Sequence, residues 1–164
     1  ISELAGVNEV TIFRHFKSKD ALFEELLSGL VDIRLKLEQS LQGDFPRFKE
    51  MLMEYAKTYY SFLVDRKEIL MICMIEADNH PSVIRMLSNV PMTAVEVLCE
   101  KIKVFQDQGH LRPTDPCTPA LMFVSTFFHL FMAKHRINLD IDIVVEELFE
   151  SAADVLMRGI VPHE

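Results

Sequence analysis

Residues Ile1 to Leu27 read ISELAGVNEVTIFRHFKSKDALFEELL, and the spacing inside this stretch decides the fold. Ile1 to Ala5 reads as the end of a helix, with Gly6 as its stop. Asn8 is placed to cap a short second helix from about Glu9 to Phe16, because its side-chain oxygen can accept from a free backbone amide. Ser18 is the corresponding cap of a third helix, with Asp20 in its first turn. Helix, tight turn, short helix and basic turn into a longer helix is helix-turn-helix spacing. The second helix of such a motif lies in the major groove and reads base edges, while flanking cations hold phosphates. A small helical corner with exposed charge has the same spacing, so the pattern alone leaves both readings open.

Working outward, the third helix extends the pattern. Leu22, Leu26, Leu30, Ile33, Leu37 and Leu41 step by 4, 4, 3, 4 and 4, which predicts one helix over 18–42, long enough to connect two units. Beyond it, Phe45 to Asp65 is predicted helical, with Phe48, Leu52, Tyr55, Tyr59, Phe62 and Leu63 on one side. Lys67 to Asp78 is a short helix, apolar all round in its middle and so expected to be deeply buried. Pro81 to Gln108 is helical with a kink or break expected near Asn89-Val90-Pro91, and Gly109 ends it. Asp115-Pro116 opens a helix to about Arg136. The last helix is predicted over about Asp142 to Arg158. With no hairpin signal and no sustained period-two alternation, the fold class is all-α. The domains expected are 1–42, a helix-turn-helix unit with its connecting helix, and 43–164, a larger helical unit.

Composition bounds the function. The chain has 164 residues, 49% hydrophobic and 26% charged, with 17 Lys and Arg against 25 Asp and Glu for a net charge of −8. Disorder is excluded as the main state, because this much apolar surface offsets the ordering entropy. The longest unbroken apolar run, 69–75, is too short for a bilayer, which needs roughly 20 residues. The acidic balance argues against a surface that binds nucleic acid everywhere. One local exception is Thr11 to Lys19, TIFRHFKSK, with Arg14, His15, Lys17 and Lys19 and no acid. Cys73, Cys99 and Cys117 are an odd count without paired spacing, and two of them sit in apolar helical contexts, which reads as buried thiols in a reducing cytosol.

These residues also carry a resemblance. Ile-x-x-x-Ala-Gly-Val, then Thr-Ile-Phe-Arg-His-Phe, then Lys-Ser-Lys-Asp-Ala-Leu closely resembles the DNA-binding domain of the tetracycline-repressor (TetR) family of bacterial transcription regulators. Phe105 to Pro116 and Leu156 to Ile160 resemble the link before the penultimate helix and the end of that family. The resemblance implies that Glu9, Val10 and Thr11 face bases. Glu9 would accept from a cytosine amino group and Val10 would pack on a thymine methyl. It implies that His15 and Lys19 hold phosphates and that Arg14 serves either purpose. Phe13 stands where a tyrosine is usual, so the phosphate contact made by that hydroxyl is lost and the ring packs inward. The family also has a further helix and a basic arm before the position of Ile1, whereas this chain starts inside the second helix.

For the larger unit the resemblance implies an effector-binding and dimerisation domain. Tyr55, Tyr59, Phe62, Met74, Glu76, Phe105, Phe123 and Phe127 are the expected effector-binding residues, suited to an apolar or aromatic molecule, cationic where Glu76 takes part. Plain core packing is the competing account of each. Tyr55 and Tyr59, one turn apart with two phenols needing partners, lean furthest toward a site. Glu76, Asp78 and His80 are competent metal ligands, but a helix points the first two apart, so the run reads as a solvated terminus and no metal or cofactor is expected. No catalytic triad, Cys-His pair or phosphate loop is present in the sequence, so no enzyme is expected. The penultimate helix is apolar on nearly every side, and with the last helix it is expected to pair with a second copy. The protein is thus read as a cytoplasmic repressor released from operator DNA by a small molecule. A helical interaction or structural bundle that does not bind DNA is the alternative.

Overall fold

The computed structural model describes residues 6, 8–28, 32–43, 45–77 and 81–160. Its helices are α1 (Glu9–His15), α2 (Lys19–Ser28), α3 (Ile33–Ser40), α4 (Phe48–Asp65), α5 (Lys67–Glu76), α6 (Pro81–Asp107), α7 (Cys117–His135) and α8 (Val145–Ile160). All regular structure among the described residues is helical, as the periodicity predicts.

The core is built by α3 to α8. Leu37, Leu52, Phe62, Leu98, Phe127 and Phe131 are fully enclosed in one continuous cluster. The α6–α7 pair is the most extensive seam, and α4 lies against α3, α7 and α8. Ion pairs fasten the outside of these seams. Lys49 of α4 reaches Asp154 (2.6 Å) and Glu150 (3.5 Å) of α8. Arg34 of α3 reaches Glu96 (2.8 Å) and Glu100 (3.3 Å) of α6.

Four expectations are corrected. The single helix expected over 18–42 is two, α2 and α3. Asp32 has φ −78° and ψ 2°, outside helical values, and α3 starts at Ile33. The helix expected from Phe45 starts at Phe48, because Arg47 is extended at φ −129° and ψ 134°. The interruption expected near Pro91 does not divide α6, which is continuous with Pro91 inside it. Proline removes one backbone hydrogen bond, and the buried Val83, Val90, Ala94, Val97 and Leu98 hold the helix on both sides of it. In α5 only Leu70 and Cys73 are buried, and Ile75 is exposed. Ile69, Met71 and Ile72 are partly buried against the same core, so α5 is covered around most of its circumference but is not deeply buried.

The stops behave as expected. Gly109 takes φ 79°, a left-handed value that suits glycine and ends α6. Asp115 caps α7, its carboxylate accepting from the amides of Cys117 (3.2 Å) and Thr118 (2.8 Å). By length and composition α7 could cross a bilayer, with a mean hydropathy of 1.2. Ala120, Phe123, Val124, Phe127, Leu130, Phe131 and Ala133 are nonetheless buried on it, so one side is core.

Candidate functional site

Helix α1 and the turn into α2 are set by two caps. The Asn8 side-chain oxygen accepts from the Val10 amide (3.0 Å), and its carbonyl accepts from the amides of Thr11 (2.8 Å) and Ile12 (3.3 Å). These bonds satisfy the free amides of the first turn and fix where α1 begins. At the other end the Phe16 amide donates to the Ile12 carbonyl (2.8 Å), and Phe16 is extended at φ −108° and ψ 108°. Ser18 then restarts the chain, its hydroxyl accepting from the Ala21 amide (3.0 Å). A seven-residue helix is thereby held between two short turns.

Exposure sorts the residues of that helix. Val10 is 73% exposed, an apolar side chain at the leading end of α1. Arg14, His15 and Lys17 are exposed, and Thr11 and Ile12 are half-buried. Arg14 and His15 lie in the last turn, where cations complement the helix dipole. The described part of this segment therefore presents an apolar contact at one end and a basic edge at the other. The side chains of Glu9, Phe13 and Lys19 lie outside the described residues, and the expectations placed on them are carried only by helical backbone.

Of the expected effector residues, the structure brings together Tyr55 and Tyr59 of α4 with Phe123 and Phe127 of α7. Ring centroids are 6.3 Å apart for Tyr55–Tyr59, 6.3 Å for Tyr55–Phe123 and 4.9 Å for the edge-on Phe123–Phe127 pair. Phe62 is buried one turn further along α4, with the Arg66 guanidinium 4.2 Å from its ring centroid. Phe105 is separate. It packs edge-on against Phe48 at 4.9 Å. Met74 and Glu76 are half-buried on α5. Asp78 and His80 lie outside the described residues.

The two phenols differ. The Tyr55 hydroxyl donates to the Ala94 carbonyl of α6 at 2.6 Å. The Tyr59 hydroxyl is buried with no hydrogen-bonding partner among the described residues. Burial pushes both well above the ordinary phenol value, and for Tyr55 the neighbouring Tyr59 adds to the rise. Both are therefore neutral hydrogen-bonding groups near pH 7. Phe149 of α8 was not singled out by the sequence reading. Its ring lies 5.3 Å from Phe127 and 6.0 Å from Tyr60. Its spacing of four and three to Ala153 and Leu156 is the signal that points to it.

A separate apolar groove of about 510 Å³ runs between α7 and α8, lined by Thr118, Met122, Phe123, Ala152, Val155 and Gly159 among others. Of the expected effector residues only Phe123 reaches it.

Comparison with known proteins agrees with this arrangement. Residues 1–26 match the bacterial regulatory proteins of the tetR family. The chain is 29% identical over 163 residues to an uncharacterized HTH-type transcriptional regulator, YvkB, of Bacillus subtilis, a match covering 98% of this chain and 84% of that protein. The solved TetR-family regulator PfmR from Thermus thermophilus shares the fold with a TM-score of 0.70 at 16% identity, over 96% of this chain and 85% of that one. The SmeT–triclosan complex does so with a TM-score of 0.68 at 18% identity, over 98% and 79%. With that signature at the front of the chain and a transcription regulator aligned along nearly all of it, this protein is similar in sequence and in fold to the TetR family of bacterial transcription regulators.

Proposed function

We propose that this regulator is a homodimeric, cytoplasmic repressor that leaves its operator when a small apolar or aromatic effector binds among α4, α5 and α7. Residues 1–42 form the reading head with its connecting helices, and 43–164 form the effector-binding and dimerisation unit. In the head, Glu9, Val10 and Thr11 face bases, while Arg14, His15 and Lys19 hold the backbone. The effector acts by its different affinity for two conformations, one of which presents the paired heads to successive major grooves.

The observation that carries the effector reading is the Tyr59 hydroxyl, buried without a hydrogen-bonding partner among the described residues. Such a group costs roughly 1–3 kcal/mol of lost hydration. A molecule bringing one polar atom to Tyr59 and an apolar body to Phe123 and Phe127 recovers that cost and gains selectivity. SmeT is described in complex with triclosan, and all that carries over from it is that a domain of this fold takes a small molecule.

Dimerisation is supported by the α7–α8 groove. Met122 is 64% exposed and Val155 70% exposed along it, and Ser151, Ala152 and Gly159 leave room for helices to approach closely. A second copy presenting the same two helices would cover an apolar face that soluble monomers rarely leave in water.

The test is DNA binding by the full-length protein to its own upstream region and to random DNA across a salt series. A repressor keeps a preference for its own site as affinity falls steeply with salt. Equal affinity for both DNAs at every salt concentration overturns the reading and favours the interaction bundle, for which the net charge of −8 speaks.

A further inference from the structure

Cys99 and Cys117 are joined as a disulfide, with their Cα atoms 5.0 Å apart across 18 residues of sequence. This corrects the expectation of buried free thiols. Cys73 alone is a buried free cysteine, while Cys99 is half-buried and Cys117 is exposed. The sequence hides the pair because α7 folds back onto α6 through the 108–116 linker, bringing its first residue beside the middle of α6.

The bridge sits where several elements converge. Cys99 lies on α6 between Ala94, whose carbonyl receives the Tyr55 hydroxyl, and Glu100, which with Glu96 receives Arg34 of α3. Cys117 is the first residue of α7, directly before Thr118 and Pro119 of the α7–α8 groove. Independent contacts hold the linker in place. The Gln106 side-chain amide donates to the carbonyls of Arg112 (2.7 Å) and Thr114 (2.9 Å), and Asp115 caps α7. The two sulfurs therefore stay within bridging reach with or without the bond between them.

We infer that Cys99 and Cys117 form a reversible thiol–disulfide site, closed by a hydroperoxide and reopened by a low-molecular-weight thiol, that locks the seam between α6 and α7. Cys117 is the attacking group, being the exposed one of the two and so the one a hydroperoxide reaches first. After its thiol gives a proton to water, the sulfur attacks one oxygen of the hydroperoxide. The O–O bond breaks, the alkoxide leaves and is protonated to the alcohol, and Cys117 becomes a sulfenic acid. The Cys99 sulfur then attacks the Cys117 sulfur. The S–O bond breaks, and the hydroxide leaves as water with the Cys99 proton. The two thiols lose two electrons, and the hydroperoxide takes both. Two exchange steps with a small thiol return them and release that thiol as its disulfide.

The experiment uses the full-length protein and no DNA, so its result stands apart from the repressor reading. Protein is equilibrated in glutathione buffers from strongly reducing to strongly oxidising, quenched with an alkylating reagent and mapped by mass spectrometry for the 99–117 cross-link. The expected result is a midpoint inside the series, with the same cross-link formed by dilute hydrogen peroxide and lost on addition of reduced glutathione. Hydrogen exchange across 94–120 slows on oxidation, and the thermal midpoint rises by on the order of 5–10 °C. Cys117→Ser, a change at an exposed position, abolishes both shifts, whereas Cys73→Ser keeps them. A cross-link that persists in the most reducing buffer, or that never forms in the most oxidising one, overturns the inference, as does equal hydrogen exchange in the two states.

Discussion

Arg34 of α3 donates from Nη2 to Oε2 of Glu96 on α6 at 2.8 Å, and so ties the helix that follows the reading head to the helix that frames the aromatic core. The same guanidinium reaches Glu100 at 3.3 Å and its own-helix neighbour Glu38 at 3.2 Å. Hydrogen bonding, from Glu38 first, raises the Arg34 pKa further, so the charge is permanent. All four side chains are more than a third exposed. Water screens such pairs to about 0–1 kcal/mol each, so the network orients two helices rather than holding the fold. Arg34→Met is expected to lower stability in urea by no more than about 1 kcal/mol, and to reduce the loss of DNA affinity that effector causes. An effector response as large as in the parent protein would remove Arg34 from the coupling.

The two buried tyrosines are expected to respond in opposite ways to loss of the hydroxyl. Tyr55→Phe removes the bond to the Ala94 carbonyl and should cost about 1 kcal/mol in equilibrium unfolding. Tyr59→Phe removes a hydroxyl without a partner among the described residues. It should leave the effector-free protein equally stable or slightly more stable while weakening effector binding. Calorimetric titration with an effector found by thermal-shift screening checks the second half. Undiminished affinity in Tyr59→Phe places the effector elsewhere.

The same phenols set an alkaline limit. Burial raises Tyr55 and Tyr59 above their unfolded value, and raises Tyr60 as well. A raised folded pKa means the stability is fully present below about pH 10, the unfolded value, and is lost as pH climbs beyond it. Unfolding free energy should therefore fall above about pH 10, with phenolate absorbance appearing together with loss of helix. A Tyr55→Phe/Tyr59→Phe double variant should show a shallower fall. Full phenolate titration of the folded protein at its ordinary pH would contradict the burial of these groups.

What the sequence disclosed follows the range of each physical signal. Caps and stops are local chemistry, so Asn8, Gly109 and Asp115 act where the sequence places them. The all-helical reading rests on periodicity sustained over many turns and holds for the same reason. Pro91, Ile75 and Cys117 depend on what packs against them. The lost hydrogen bond at Pro91 is outweighed by buried neighbours on α6, Ile75 lies on an uncovered side of α5, and Cys117 meets Cys99 only once α7 has folded back. Within the aromatic set, spacing along α4 correctly pairs Tyr55 with Tyr59. It cannot show that Phe105, one of twelve phenylalanines, packs instead against Phe48.

DNA reading is expected to divide along α1. His15→Ala and Lys19→Ala should weaken binding to all sequences alike, and the lysine change should flatten the salt slope by about one unit. Thr11→Ala and Val10→Ala should alter which base pairs are preferred, by roughly 1–3 kcal/mol at the affected position. Competition binding on a randomised operator library measures both. If Thr11→Ala loses affinity equally on specific and random DNA, its base-facing role is wrong.

The dimer prediction turns on side chains that the single chain does not need. Met122 and Val155 are 64% and 70% exposed, on opposite walls of the α7–α8 groove. A charge at either place is solvated in the monomer and leaves its core untouched, because Phe123, Ala153 and Leu156 beside them carry the packing inward. In a dimer the same charge is buried against apolar helices, a cost of several kcal/mol in practice. Val155→Glu and Met122→Glu should therefore yield well-folded monomers, with parental helicity and little change in thermal midpoint beyond the loss of subunit association. Tight DNA binding should fall with them, since one head engages a single half-site. Light scattering at micromolar concentration reads the mass directly. A parent protein that is already monomeric, or a Val155→Glu variant that stays dimeric, would show that α7 and α8 do not face a second copy.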